Sequence, residues 1–216
     1  MLIKDLWSYF LQGFISGITK LKNEDIIVQI ITQNKFLSLY RFYGLRHSII
    51  SIGRKIDFDI EYNGQFIPKL RNIIQLGFAY ESDFTKLYYW QQFLKLLNNH
   101  LRDTEDIPSF YFEMLNNGAI ILNKQNPSRV LIEMYVKLLH FEGRLSLDSN
   151  CFICNEELSN KIAVTRGFLC AHNSCLINNI EVIDKDLFFG FIKLKKSIFL
   201  NDSEVEYLLN ALLLGI

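Results

Sequence analysis

The chain has 216 residues, half of them hydrophobic and 14% aromatic, enough to bury a sizeable core in one domain or two small ones. Its formal net charge is zero, but residues 1–75 carry +4 while 76–150 and 151–216 carry −2 each, so a near-neutral whole hides a basic N-terminal part. The uncharged run Leu6 to Thr19 is too short for a membrane span and too polar for a signal peptide, which predicts a cytoplasmic protein without a membrane association.

In chain order, Phe14–Ile18, Ile26–Ile31, Phe36–Tyr43, Ile49–Ile52 and Ile56–Tyr62 read as short strands. Asn63-Gly64 reads as a hairpin turn before Gln65–Ile67. That many short strands with turn signals between them predict a small barrel. Within Phe36–Tyr43, strict alternation puts Tyr40 and Tyr43 on opposite faces, so one of them belongs to the core. Pro68 fits a first helical turn, and Lys69–Leu76 is read as the start of a helix.

From residue 82 the period becomes helical. Ser82 is placed as the cap of a helix carrying Phe84, Leu87, Tyr88, Phe93, Leu94 and Leu97. Pro108-Ser109 opens a second helix, and Arg129–Phe141 forms a third that ends near Gly143. Two more are expected near Lys185–Lys196 and Ser203–Leu214.

All four cysteines fall between residues 151 and 175, as Cys151-x-x-Cys154 and Cys170-Ala-His-Asn-Ser-Cys175. In a reducing cytoplasm, two close thiol pairs separated by a hairpin-length segment read as one tetrahedral structural zinc site. The expected ligands are Cys151, Cys154, Cys170 and Cys175, with His172, inside the wider second pair, as the alternative fourth ligand. A closed site of this kind holds structure and leaves no open position for chemistry.

Lys35 to Lys55 holds Lys35, Arg41, Arg46, Arg54 and Lys55 and no acid, a concentration that fits an anionic partner. Lys20 and Lys22 can extend it, and Tyr40 or Tyr43 is the candidate for stacking on a base. No phosphate loop, zinc-protease motif or nucleophile elbow is present, which points to a binding protein and not an enzyme. Asp57, Asp59 and Glu61 alternate on one strand face. They keep a metal-dependent nuclease open as an alternative, beside a protein-interaction adaptor without DNA binding.

The order of parts resembles the RecO family of bacterial recombination mediators. The resemblance is carried by Asn23-Glu-Asp-Ile-Ile-Val28 with Thr32, by Arg41-Phe-Tyr-Gly44-Leu-Arg46, by Leu138-Leu-His-Phe-Glu-Gly143 ahead of the first thiol pair, and by Arg166-Gly-Phe-Leu-Cys170. It implies an α+β fold, with an N-terminal OB-fold β-barrel over 1–75. An α-helical domain over 76–216 follows, carrying an inserted four-cysteine zinc module at about 150–176. It also implies binding of single- and double-stranded DNA and annealing of complementary strands. Help to RecA on SSB-coated DNA together with RecR, and contact with the SSB C-terminal tail, complete what it implies. Nucleoid association in the bacterial cytoplasm would go with those partners. The wider Cys170–Cys175 spacing departs from that family's closer second pair.

Overall fold

The computed structural model describes residues 11–62, 64–178 and 180–216. These form two compact units that divide after Asn123. Asn63 of the expected hairpin turn lies outside the described residues, as do residues 6–10 of the uncharged run.

The first unit is built on strands β1 (Leu11–Lys20), β2 (Ile26–Thr32), β3 (Phe36–Arg41), β4 (Lys55–Glu61) and β5 (Lys69–Gln75). They close into a barrel in the order β1-β2-β3-β5-β4, with β3 and β5 parallel and β4 returning antiparallel to β1. This is the arrangement of an OB-type barrel. Alternate residues of β-branched strands fill it: Ile15, Ile26, Val28, Ile30, Leu39, Ile56, Phe58 and Leu70 are buried inside. Each such side chain contributes roughly 1.5–3 kcal/mol when removed from water.

Two strand assignments change on folding. Lys69–Gln75 is a strand, not a helix. The pairing slips between Asp57 and Asp59, and Asn72 takes φ +45° at this bulge. Leu70 and Ile73, three residues apart, both pack toward the core, which imitates helical spacing in the sequence. Ile49–Ile52 is not a strand but part of an irregular connection, and Ile50 inserts from it into the barrel core. Gln65–Ile67 likewise lies in the β4–β5 connection.

Two helices, α1 (Phe84–His100) and α2 (Phe110–Leu122), belong to the same unit as the barrel. The change of period at residue 82 marks a change of element type, whereas compactness divides the chain after Asn123 and not at the expected boundary after residue 75. The cap of α1 is Asp83, whose carboxylate accepts from the Lys86 N–H at 3.1 Å; Ser82 instead bonds back to the Ala79 carbonyl. Phe14, fully buried on the outer face of β1, meets Phe78, Trp90 and Phe112 with ring centroids 5.8–6.3 Å apart.

The second unit holds α3 (Pro127–Phe141), β6 (Lys161–Val164), β7 (Cys170–Ala171), β8 (Ile183–Asp184), α4 (Lys185–Leu194) and α5 (Asp202–Leu213). Asn126 caps α3 ahead of Pro127, and Asn201 with Glu204 forms a capping box on α5. Helix α3 is buried on most sides. Its Glu133 is held by the Ser197 N–H and hydroxyl at 2.9 and 3.0 Å and by Lys196 at 3.2 Å. Tyr207 on α5 receives the Val164 N–H at 2.6 Å and donates to the Val164 carbonyl at 3.2 Å, which fixes the small sheet against the helix.

Gly53 carries φ +94°, and a Cβ there would lie 2.9 Å from Trp90 Cδ1. Gly53→Ala is therefore expected to cost roughly 1–3 kcal/mol and to lower the urea midpoint followed by circular dichroism. An unchanged midpoint would contradict this packing.

Candidate nucleic-acid groove and metal site

The outer face of β1–β3 and the C-terminal half of α1 enclose a groove of about 920 Å³. Gln29 and Ser38 face it from the sheet, and Asn98 and Asn99 from the helix. Asn98 is positioned by the Ser16 hydroxyl, which donates to it at 2.9 Å. Lys35, Lys95 and Arg102 supply cations, against Asp103 and Glu105. Tyr62, 75% exposed, stands at the groove and offers a ring for stacking. Such a wall of amide and hydroxyl groups, with cations and one free ring, can hold a polyanion while its bases lie against the sheet.

Only Lys35 of the sequence-predicted cations lines this groove, and it pairs there with Asp106 at 3.4 Å. Arg41 and Arg46 line a separate cleft. Arg54 sits against Glu81 at 3.5 Å. Lys55 donates to Asn116 at 2.9 Å and lies over the Phe112 ring, and burial holds its pKa below the ordinary lysine value. The five cations are thus not gathered on one surface. Lys95 and Arg102 escape a reading that assigns α1 to another domain, and Arg71 escapes one that makes its strand a helix.

The aromatic expectation also changes. β3 ends at Arg41, so strand alternation does not reach Tyr43, which is 53% exposed with the Arg46 guanidinium 5.1 Å from its ring centre. Tyr40 faces outward and its hydroxyl donates to Asp25; that bond, then partial burial, raises its pKa. Neither ring enters the barrel core. Two of the three acids of β4 are also engaged, whereas a buried oxygen of Asp57 has no hydrogen-bond partner among the described residues. Glu61 pairs with Arg71 at 2.7 Å and Lys69 at 3.2 Å, which holds its pKa below the ordinary value, and Asp59 accepts from Asn72 at 2.7 Å.

In the second unit, Cys151, Cys154, His172 and Cys175 bring their ligand atoms within 4.8 Å of one another. This is the group of metal-ligating side chains that converges among the described residues. His172 Nδ1 lies 3.4 Å from Cys154 Sγ and 3.8 Å from Cys175 Sγ. Zinc bonds of about 2.3 Å to sulfur and 2.0 Å to nitrogen in a tetrahedron require separations of roughly 3.5 Å. Glu157 offers its carbonyl to His172 Nε2 at 3.0 Å. The proton then stays on Nε2 and the Nδ1 lone pair faces the sulfurs, as a metal-binding histidine needs.

Cys170 does not join the group. Its thiol is buried and contacts the Phe168 carbonyl at 3.8 Å. Burial, and then the nearby Cys151 sulfur, push its pKa up to about 12, so it remains a neutral thiol. The effective second pair is His172-Asn-Ser-Cys175, which has the same two-residue spacing as Cys151–Cys154. The Cys175 N–H closes its tight turn on the His172 carbonyl at 3.0 Å.

Burial opposes ionisation of Cys151, yet the backbone N–H groups of Cys154, His172 and Ile153 bring its pKa down to about 6. Burial, and hydrogen bonds that its protonated thiol donates to Cys154 and Cys151, raise Cys175 to about 11. Three sulfurs this close cannot all ionise alone, and a bound cation would take the place of the protons they retain. The donor set therefore fits zinc, with Cys151, Cys154, His172 and Cys175 as its holders.

Residues 11–81 match the family model for the RecO N-terminal domain, the segment that contains the whole five-stranded barrel. Over this segment the barrel is of the RecO N-terminal type. No curated protein matches the chain. Within the RecO-type barrel, the matched segment supplies the sheet wall of the groove, while α1, which supplies the facing wall, begins just beyond it.

Cys170→Ala is expected to retain about one zinc per chain by mass spectrometry of the metal, whereas Cys151→Ser and His172→Ala lose it. Metal loss from the Cys170 variant, with retention in the His172 variant, would restore the four-cysteine set.

Proposed function

We propose that the protein is a DNA repair and recombination mediator. It binds single- and double-stranded DNA, anneals complementary strands and, with RecR, helps RecA onto SSB-coated DNA. The match of the barrel to the RecO N-terminal domain carries this reading. The groove beside α1 supports it, because it places cations, amides and an exposed ring along one sheet face. Annealing needs no bond-making residue. It needs a surface that reduces the repulsion between two phosphate backbones, so the protein is read as a non-enzymatic binder. The zinc site serves to hold the second unit's fold. Action on chromosomal DNA places the protein in the cytoplasm with the nucleoid. Among the described residues no helix is long and apolar enough to cross a membrane.

The end of α4 and the segment that follows it support contact with the SSB tail. Leu194, Ile198 and Phe199 are 54%, 71% and 63% exposed, and Lys193, Lys195 and Lys196 lie among them in sequence. Apolar side chains interleaved with cations match an acidic tail that ends in hydrophobic residues.

The test is annealing of two complementary oligonucleotides, one coated with SSB, over a salt series. Acceleration that fades with salt is expected. Lys95→Gln with Arg102→Gln should weaken DNA binding for all sequences and reduce the salt slope by about two. An absence of DNA binding even at low salt would contradict the mediator reading. Phe199→Ala should weaken binding of a labelled SSB tail peptide without altering DNA affinity. Equal peptide affinity in this variant would remove that patch from the reading.

A further inference from the structure

Where β3 leaves the barrel, Arg41, Arg46, His47, Ser48, Arg71 and Asn72 line a cleft of about 540 Å³, distinct from the groove beside α1. No carboxylate lines it. Arg46 and Arg71 have partners in Glu24 and Glu61, both in exposed pairs that contribute little in water. Arg41 differs. Its terminal nitrogen donates to the Leu70 carbonyl at 3.0 Å, but its buried Nε–H has no acceptor, and among the described residues no carboxylate pairs with it. A guanidinium with a desolvated, unpaired donor is unfavourable, and a second guanidinium beside it adds repulsion. Burial, and then the charge of Arg71, lower the pKa of Arg41 accordingly.

We propose that this cleft binds the terminal phosphate monoester of a nucleic-acid strand, an assignment that rests on the DNA-binding reading above. The choice of a monoester follows from charge and from the number of donors. A phosphodiester inside a strand offers two free oxygens and one negative charge. A terminal phosphate offers three oxygens and carries close to two charges at neutral pH. The guanidinium groups of Arg41, Arg46 and Arg71, with the Ser48 hydroxyl and the His47 ring, exceed what a diester can engage. Ile49 and Ile73 complete the lining with apolar surface against which the last sugar can lie. The site would let a RecO-type barrel register a strand end separately from the path of the strand along the groove.

The experiment compares the full chain's affinity for one oligonucleotide carrying a 5′-phosphate, a 3′-phosphate or only hydroxyl ends, by fluorescence anisotropy. At least one phosphorylated form should bind roughly tenfold more tightly than the hydroxyl form. Arg71→Gln should abolish that difference while leaving affinity for the hydroxyl form unchanged. Arg41→Lys, which keeps the charge and stem but removes the Nε donor, should shrink it. Equal affinity for all three oligonucleotides overturns the proposal and leaves the DNA-binding reading standing. If none binds, that reading falls. Titration with inorganic phosphate, monitored at the Arg41 Nε–H resonance, then decides the site. A saturable shift upholds a free-phosphate site, and no shift overturns it.

Discussion

The carbonyl of Gly53 is the point on which the first unit depends. The Trp90 indole N–H donates to it at 2.9 Å and the Tyr80 hydroxyl at 3.3 Å. The Gly53 N–H in turn donates to the Ile15 carbonyl at 2.8 Å, and the Ile15 N–H to the Arg54 carbonyl at 2.9 Å. The backbone at Gly53 and Arg54 thereby joins β1, the long β3–β4 connection and α1. Each hydrogen bond contributes on the order of 1 kcal/mol, but leaving that buried carbonyl unpaired would cost more than either bond gains. Burial of Tyr80 raises its phenol pKa far above the ordinary value, so it stays a donor throughout the physiological range. With α1 fixed in this way, Asn98, Lys95 and Arg102 come to face the sheet, and an outer barrel surface becomes one wall of a groove.

The second unit solves a different problem. Its small sheet is too short to hold two tight turns in place by hydrogen bonding alone. The two turns bring Cys151 and Cys154 against His172 and Cys175, and a shared cation would link them. Two contacts pre-set the ligands: the His172 N–H lies 3.4 Å from Cys151 Sγ, and Glu157 fixes the imidazole tautomer. Cys170, next to this group in sequence, is instead packing material beside Phe168, whose ring sits edge-on to Tyr135 at 4.9 Å.

What could be read from the sequence followed from which signals were local. The β-branched run of β2, the alternation of β3, the helical rows of α1 to α5 and the clustering of the cysteines are local, and each appears in the fold. Asn72 defeated the strand reading, because a bulge converts period two into a spacing of three. Ile49–Ile52 looks like a strand because its isoleucines are needed inside the barrel, although its backbone turns. The ligand set was legible had the two-residue spacing been applied to histidine as well as cysteine: His172-x-x-Cys175 then stands out. Of the groove, Lys35 alone among the cations was legible in the sequence. The groove's cations come from β-turn and helix positions more than 50 residues apart, joined through the packing of Trp90 on Phe14 and the hydrogen bonds of Trp90 to Gly53 and of Ser16 to Asn98.

The central claim is that a strand runs through the groove between the RecO-type barrel and α1. The most direct measurement is titration of isotope-labelled protein with a single-stranded oligonucleotide, followed by backbone and side-chain amide resonances. The account predicts saturable shifts at Gln29, Ser38, Asn98 and Arg102. Shifts that leave these residues unmoved while saturating elsewhere would contradict it.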